Sequence, residues 1–414
     1  LWVDDLAPFA RLCPEIDAAL DRQWVTGVEV CRWTQRFPTD AEPAGVVIEA
    51  FACQLPETYV AAMARLNPAP HWINLEYLSA EGWVADCHGL PSPHPRLPLT
   101  KHFFIPGFDE RSAGLLRERD LLARHARFDR FAWWPCHGGV PAPDTLAVSL
   151  FAYENAAIGV LLDAWRSNDR AVRCLVTDSR ILTSVSAFFG QALTPGTRTE
   201  CGGLDLQVLP FMRQEAYDDL LAACDLNFVR GEDSLVRAIW AGKPFVWHIY
   251  PQDDDAHRVK LEAFLDRYCN GLSAPAVAAV LAFWQAWNAE ATTAADWQDF
   301  VAHLPEIAEH TRQFRDPLPG EPRFRGGIRC TPCRPQCPLS VAAAQCQLCQ
   351  VLLAHHVRRL QLRRIACRCQ CCCLVTCWRT MVGQDSCQQQ VRRAIVRLKL
   401  QRLLQVRPRL LVLP

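Results

Sequence analysis

Short apolar runs alternate with longer segments of helical periodicity through the first 320 residues. In the N-terminal part the runs are rich in β-branched and aromatic residues, and they lie at 1–5, 27–33, 45–53 and 71–78. Apolar runs that alternate with helical segments are typical of parallel sheets covered by helices. The pattern therefore predicts an α/β domain in the first part of the chain.

The same alternation restarts after two segments rich in proline and glycine. The first, CHGLPSPHPRLPL at 87–99, continues through FFIPGF and predicts a long loop, whereas WWPCHGGVPAPD at 133–144 predicts a domain boundary. Further apolar runs lie at 145–155, 171–179, 204–211, 224–231 and 243–251, with helical patterns between them that include Gln214 to Ala223 and a helix from Ser234. We expect two Rossmann-like domains, 1–140 and 141–318, facing a ligand-binding cleft.

Charge divides the chain into two unlike parts. Before residue 321 there are 27 Lys+Arg against 42 Asp+Glu, and after it 17 against 2. A long uncharged run, 268–289, is interrupted by polar residues and falls short of the about 20 apolar residues that cross a bilayer, so it predicts a buried helix. No export signal is evident at the N-terminus. We expect a cytoplasmic protein with reduced cysteines and neither membrane nor nucleic-acid partners.

The segment 319–414 holds 12 of the 21 cysteines, with pairs at Cys330/Cys333 and Cys346/Cys349. Two such pairs approach the spacing of a four-thiolate zinc site. The segment has no Asn or Tyr, one Lys and one Phe, which favours a disordered tail translated out of frame. The alternatives are a zinc module or, from the helical spacing of basic and apolar residues at 391–410, a segment that contacts RNA or a membrane.

The stretch RGEDS, from Arg230 to Ser234, lies between an apolar strand and the next helix. Asp233 or Ser234 is the expected N-cap, and a helix N-terminus binds phosphate through its free N–H groups. Arg230 adds a planar fork that matches phosphate oxygens, and Gly231 allows close backbone approach. Capped helix ends are common and do not by themselves make a site, but in a two-domain α/β layout this one favours diphosphate binding.

Several long motifs, in order along the chain, carry a family resemblance. They are VVIEAFACQLPE, INLEYLSAEGWVADCHGLPSP, FFIPGF, SLFAYEN and RGEDSLVRAIWAGKPFVWHIYPQ. They resemble the protein-arginine rhamnosyltransferases (EarP family) that modify translation elongation factor P (EF-P), and the similarity runs from Leu1 to about Phe314. The resemblance implies a GT-B fold and inverting transfer of L-rhamnose from dTDP-β-L-rhamnose to an arginine of EF-P. It implies no metal and no other cofactor.

The resemblance also implies which residues form the site. The base of the donor would stack on Phe211 and contact Gln214. The ribose and diphosphate would be held by four matching residues: Tyr153, Arg230, Asp233 and Ser234. Glu232 matches the catalytic glutamate. Without the resemblance, Phe211 would be assigned to the hydrophobic core.

An arginine acceptor needs carboxylates, because a guanidinium stays protonated and its nitrogen lone pairs are delocalised. Glu232 can orient it and accept a proton only together with a second carboxylate. In the family that role falls to aspartates in a motif like DN(F/Y)GDIG, which this chain lacks; Asp4 and Asp5 are expected to be loop or cap residues. We therefore expect an N-terminally truncated enzyme with a sheet that lacks its first strand and with impaired catalysis.

Other assignments stay open beside this one. A different GT-B nucleotide-sugar transferase would use a small-molecule acceptor, and a non-catalytic protein would bind the dTDP-sugar without transfer. The run QDDDAH at 252–257 resembles the metal-binding Asp-x-Asp of GT-A enzymes. Its place after the last strand favours a solvated loop and helix start instead. His88, His137 and His248 have no partner at metal-ligand spacing and are expected to be structural.

Overall fold

The computed structural model describes residues 1–34, 36–252, 255–316 and 318, together with the strand Leu374–Trp378. These residues form two sheets with helices packed against them. Most neighbouring strands are parallel in both. The predicted fold class, α/β with two Rossmann-like domains as in GT-B glycosyltransferases, is confirmed, whereas the domain boundaries stay a prediction.

The first sheet has eight strands in the order β2-β3-β1-β14-β4-β5-β7-β6. Its strands are β1 (Trp2–Val3), β2 (Arg22–Val25), β3 (Val28–Arg32), β4 (Val46–Ala50), β5 (His71–Leu75), β6 (Pro91–Pro93), β7 (Thr100–Phe104) and β14 (Leu374–Trp378). The helices of this part are α1 (Leu6–Leu12), α2 (Glu57–Met63), α3 (Trp83–Cys87), α4 (Leu121–Arg127) and α5 (Arg130–Trp133), followed by a 3-10 turn, Trp134–His137. The hairpins β2/β3 and β6/β7 are antiparallel and form the two edges.

The second sheet has six strands in the order β10-β11-β9-β8-β12-β13. Its strands are β8 (Leu146–Leu150), β9 (Val172–Thr177), β10 (Arg198–Cys201), β11 (Leu204–Leu209), β12 (Leu226–Arg230) and β13 (Phe245–His248). The helices are α6 (Ile158–Arg166), α7 (Ile181–Phe189), α8 (Gln214–Ala223), α9 (Gly231–Ala241), α10 (Ala256–Tyr268), α11 (Ala274–Asn288), α12 (Ala294–Ala302) and α13 (Leu304–Arg315). The strand order reverses between β8 and β12, which makes their carboxyl ends the switch point where such sheets bind ligands.

The largest hydrophobic core surrounds the second sheet. Every residue of β8 and β9 is buried, as expected for parallel strands covered on both faces. Large aromatic side chains fill the space between strands and helices, and Trp165, Trp284 and Trp297 are fully buried. This core gives the loops at the carboxyl ends of β8 and β12 a rigid support.

The local structure matches some of the sequence predictions and contradicts one. The helix Gln214–Ala223 has the predicted bounds, and Asp5 is the N-cap of α1, with its carboxylate accepting the N–H of Ala7. The region from residue 87 to 108 was wrongly assigned to a loop alone: it contains β6 and β7, and the parallel pairing of β7 with β5 outweighs its proline-rich surroundings. The uncharged run contains α11 as its buried helix.

The predictions for the C-terminal segment fall mostly outside the described residues. Its described part, β14, lies between β1 and β4 in the first sheet. Cys174, Cys224 and Cys269 are buried free thiols. Within the described ranges, no helix has the length and apolar character of a membrane span.

Candidate functional site

Tyr153 and Arg230 lie at the switch point of the second sheet. Arg230 is the last residue of β12, and Tyr153 follows β8, the strand that pairs with β12 in parallel through Leu150 and Phe228. Because parallel neighbours end at the same edge of a sheet, the two side chains meet there. The structure thus brings together two of the residues that the sequence assigned to the ribose and diphosphate.

The guanidinium of Arg230 is held by two aromatic rings. Its central carbon lies 4.5 Å from the ring centroid of Phe151 and 4.7 Å from that of Tyr153, within the range of cation–π attraction. The buried Nε has no hydrogen-bond partner within the described part of the chain. Arg230 is therefore held in position by the two rings, while its buried Nε–H has no partner in the described part of the chain.

Helix α9 begins directly at this cation. Its N-cap is Arg230 in extended conformation, with no side-chain capping bond, and Gly231 follows with φ +66°. The prediction that Asp233 or Ser234 would be the N-cap was wrong. The glycine accepts a left-handed φ, so the helix starts earlier and both residues lie inside it.

Close packing around Gly231 defines the start of α9. Its carbonyl accepts the indole N–H of Trp247 at 2.7 Å, and a Cβ at this position would lie 3.3 Å from the hydroxyl of Tyr153. Glycine thus lets the aromatic side chain approach the backbone. The first-turn N–H groups, with no side-chain cap, face the same switch point and can bind an anion.

Tyr153 is packed among other polar aromatic residues. Its ring makes edge contacts with His248 and Tyr250, both at 5.3 Å between centroids. Burial raises the pKa of Tyr153, and the nearby cation Arg230 opposes this. Burial, with a smaller contribution from Arg230, lowers the pKa of His248 to about 3. Both side chains are therefore neutral near pH 7, and Arg230 is the cation of this group.

Phe211 and Gln214 lie together just before and at the start of α8. The ring of Phe211 is 39% exposed, so it is available for stacking and is not a core aromatic. The guanidinium of Arg11, from the first domain, lies 5.0 Å from its centroid. The side-chain amide nitrogen of Gln214 is buried without a hydrogen-bond partner among the residues described. The ring of Phe211 is exposed enough to stack on a base, whereas the amide nitrogen of Gln214 is buried.

Glu232 lies where the second domain meets the first. One carboxylate oxygen accepts the backbone N–H of Leu78 at 2.9 Å, and the other lies 3.3 Å from Nζ of Lys260. Burial raises the pKa of Glu232, and both Lys260 and the Leu78 N–H act in the opposite direction. The predicted catalytic carboxylate thus lies between the two domains, two residues after Arg230 in sequence.

Asp233 and Ser234 have less open surroundings. The carboxylate of Asp233 lies 3.8 Å from Nε of Arg237, one turn further along α9, and Ser234 is buried. Burial raises the pKa of Asp233 to about 6, and Arg237 opposes the rise. The Asp233 carboxylate is directed toward Arg237, and its negative charge does not attract a diphosphate. Any role of Asp233 in donor binding therefore rests on its backbone N–H or on contact with the ribose.

A small interdomain cavity of about 40 Å³ adjoins Glu232 and Asp233. Its lining from the first domain includes Phe51, Glu76 and Leu78. Its volume suits a few water molecules or a small polar group. The other predicted site residues do not line this cavity.

The described residues contain no cluster of three or more His, Cys, Asp or Glu arranged to hold a metal ion. Of the QDDDAH carboxylates, only Asp255 is described, and it precedes the first residue of α10. His88 accepts the N–H of Ile105, and His137 stacks on Trp133 at 3.6 Å. These histidines have the structural roles expected of them.

Sequence reasoning missed the partners of Glu232. Lys260 lies 28 positions away on α10, and Leu78 belongs to the other domain. Only the family-like motif INLEYLS, which contains Leu78, indicated that this loop matters. Local patterns do not reveal contacts over such separations.

Known proteins resemble this chain over most of its length. The family model "Elongation-Factor P (EF-P) rhamnosyltransferase EarP" matches residues 1–325. A "Protein-arginine rhamnosyltransferase" of Pseudomonas putida is 48% identical over 318 residues, covering 75% of this chain and 84% of that protein. One from Pseudomonas aeruginosa is 44% identical over 330 residues, covering 76% and 85%.

A solved structure, described as "Structural basis for EarP-mediated arginine glycosylation of translation elongation factor EF-P", is 42% identical, with a TM-score of 0.48. The match covers 51% of this chain and 69% of that one. The family match over most of the chain and the identity to full-length relatives are decisive. The chain belongs to the EarP family of EF-P rhamnosyltransferases.

Proposed function

We propose that this chain transfers L-rhamnose from dTDP-β-L-rhamnose to an arginine side chain of EF-P, with inversion at the anomeric carbon and without a metal. Family membership supports the reaction and the acceptor. The observation that carries the assignment of roles is the adjacency of Arg230, at the open start of α9, to Glu232, which faces the first domain. One residue separates the cation that suits a diphosphate from the carboxylate that suits a guanidinium.

The donor would lie across the switch point of the second sheet. Its base would stack on Phe211 and hydrogen-bond to Gln214, and its diphosphate would contact Arg230 and the first N–H groups of α9. These positive groups stabilise the charge that develops on the departing diphosphate. Tyr153 would contact the ribose or the phosphates through its hydroxyl, beside Gly231.

The acceptor guanidinium would enter from the first-domain side and pair with Glu232. A guanidinium nitrogen attacks the anomeric carbon from the face opposite the diphosphate; the N–C bond forms as the C–O bond breaks, and dTDP leaves with the electron pair. The nitrogen loses one proton, which a carboxylate accepts. Since the charged guanidinium is a poor nucleophile, Glu232 and a second carboxylate must together orient it and take that proton as the bond forms.

The test combines donor binding and transfer. Titration of the full chain with dTDP should show binding and a raised melting temperature, because a ligand that binds only the folded state stabilises it. Incubation with dTDP-β-L-rhamnose and folded EF-P should then add one deoxyhexose to EF-P, located on arginine by fragmentation. Failure of dTDP to bind at millimolar concentration contradicts the donor assignment.

The same assay separates the alternatives. Modification of free arginine or another small acceptor, with EF-P unmodified, would favour a transferase with a small-molecule acceptor. Tight dTDP binding without transfer to any acceptor would favour a donor-binding protein. NMR of the product linkage tests inversion, because a retained β configuration would contradict it.

A further inference from the structure

Lys260 and Glu232 form a mostly buried ion pair between two helices of the second domain. The ammonium nitrogen of Lys260, on α10, lies 3.3 Å from Oε1 of Glu232, in the first turn of α9. Their side chains are 17% and 21% exposed. A pair with this little solvent is screened much less than a surface pair, so its effect on the carboxylate is large.

The first domain completes the surroundings of this pair. The backbone N–H of Leu78 donates to Oε2 of Glu232 at 2.9 Å. The preceding residue, Tyr77, places its ring centroid 5.5 Å from Nζ of Lys260, and that ring stacks on Phe51 at 4.2 Å. Each carboxylate oxygen thus has one fixed partner, and the ammonium has an aromatic face on its other side.

These contacts restrict the rotation of the Glu232 carboxylate. With one oxygen bound by a backbone amide and the other by Lys260, the plane of the carboxylate is defined by groups from both domains. A guanidinium that approaches through the cleft meets the two carboxylate oxygens of Glu232 in fixed positions. Transfer to one nitrogen requires such an orientation of the reacting groups. No other cation is paired with Glu232 among the described residues.

We propose that Lys260 is a positioning residue, which holds the Glu232 carboxylate in its orientation and in its ionised form until the acceptor guanidinium binds. The inference rests on the proposed function, because it gives Lys260 a role toward the reacting carboxylate. Lys260 itself touches neither donor nor acceptor in this proposal.

The charged surroundings explain why such a residue is needed. Burial favours the neutral acid form of Glu232, and Lys260 and the Leu78 N–H oppose this shift of its pKa. The other charged groups around the adjoining cavity are mixed in sign: Glu76, Arg117, Glu118, Asp233 and Arg237. Since Arg237 is engaged by Glu118 and Asp218, Lys260 is the cation that acts directly on Glu232.

The test is a titration of Glu232 in the full chain, followed by ¹³C NMR of labelled glutamate carboxyls, with Glu232→Gln used to assign the signal. In Lys260→Met the midpoint should rise by about one pH unit or more, because an opposite charge within a few ångströms has been removed. In Lys260→Arg the titration midpoint of Glu232 should stay close to that of the parent protein, because the positive charge is retained. Lys243→Met, which removes a lysine outside the cleft, is the matched control and should leave the midpoint unchanged.

Single-turnover transfer gives the second readout. The acidic limb of the rate profile should move to higher pH in Lys260→Met by the same amount as the NMR midpoint, whereas dTDP affinity should change less than twofold. If Lys260→Met does not fold, Lys260→Gln, which keeps a hydrogen-bond donor without charge, replaces it. An unchanged midpoint in a folded neutral variant overturns the proposal.

The two readouts keep this proposal distinct from the proposed function. A parent chain that transfers no rhamnose would overturn the function, while the NMR titration would still decide whether Lys260 controls Glu232. Conversely, active transfer with an identical pH profile in parent and Lys260→Met would retain the function and reject the positioning role.

Discussion

Arg237 and Glu118 form a two-pronged ion pair, with terminal guanidinium nitrogens at 2.6 and 2.7 Å from the two carboxylate oxygens. Glu118 precedes α4, in the segment that follows the first sheet, and Arg237 lies in α9, the helix that begins next to Arg230. The same guanidinium lies 3.2 Å from a carboxylate oxygen of Asp218. This buried contact connects the segment after the first sheet to the helix that carries Glu232.

Replacing Arg237 by Leu should destabilise the protein strongly. Arg237 is 3% and Asp218 1% exposed, so the change leaves buried carboxylates without their main cation. The expected loss in the free energy of unfolding is about 3–5 kcal/mol. Arg312→Leu, which removes an exposed helical ion pair with Glu309, is the matched control and should cost about 0–1 kcal/mol. If urea denaturation gave the same loss in the free energy of unfolding for both variants, the buried ion pair would stabilise the fold no more than the exposed one.

The strands of this fold could be predicted because their apolar runs are continuous. β8 and β9 are buried along their whole length, and a run that is apolar on both faces is visible without knowledge of its neighbours. By contrast, β7 lies between proline-containing segments, and its place in the sheet depends on pairing with β5. Local composition therefore does not predict a strand whose formation depends on pairing with a strand that is distant in sequence.

The site was predictable only in part, for a related reason. Arg230 and Tyr153 follow strands whose order in the sheet makes them neighbours, so motif and topology agree. The start of α9 was misplaced because Gly231 begins the helix through a left-handed φ and no side chain caps it. Lys260 was missed because its contact with Glu232 depends on how α10 packs beside α9.

His248 should make stability fall below about pH 6.5. Its folded-state pKa is lowered to about 3, mainly by burial. Between that pH and pH 6.5 the imidazole is protonated in the unfolded chain but neutral in the folded chain. The contribution of His248 to the free energy of unfolding is present above pH 6.5 and is lost as the pH falls toward 3. Between pH 7 and pH 5 the loss is about 2 kcal/mol. His248→Gln should flatten this part of the urea-denaturation profile. Parallel profiles for variant and parent would contradict the assignment.

Replacing Phe211 by Ala should weaken dTDP binding. The ring is 39% exposed beside the unpaired amide of Gln214, and loss of base stacking costs roughly 1–3 kcal/mol in comparable nucleotide contacts. Phe131→Ala, which removes a ring that is 68% exposed on α5, serves as the control and should leave the affinity unchanged. Isothermal titration calorimetry measures both. Unchanged affinity in Phe211→Ala would place the base elsewhere.

Chelation should affect neither binding nor transfer. In the proposed donor site the positive charge comes from Arg230 and the start of α9, and no metal-ligand cluster occurs in the described part of the chain. dTDP affinity and the rate of transfer should be the same in EDTA as in millimolar Mg²⁺. A loss of either in EDTA that Mg²⁺ or Mn²⁺ restores would instead support a metal bridge to the diphosphate.

Arg230→Lys should weaken dTDP binding although the charge is retained. The guanidinium is planar, stacks on Phe151 and Tyr153, and presents several donors in a fixed fork, whereas an ammonium has neither the plane nor the fork. Loss of charge-assisted hydrogen bonds of this kind costs roughly 1.5–3 kcal/mol, which is tenfold or more in affinity.

The control for that change is Arg166→Lys, at an exposed position at the end of α6, which should bind dTDP like the parent. Thymidine, which lacks phosphate, gives the decisive comparison. If Arg230 binds the diphosphate, Arg230→Lys should lose affinity for dTDP and keep its weak affinity for thymidine. An equal loss for both ligands would mean that Arg230 shapes the pocket through Tyr153 without touching the phosphates.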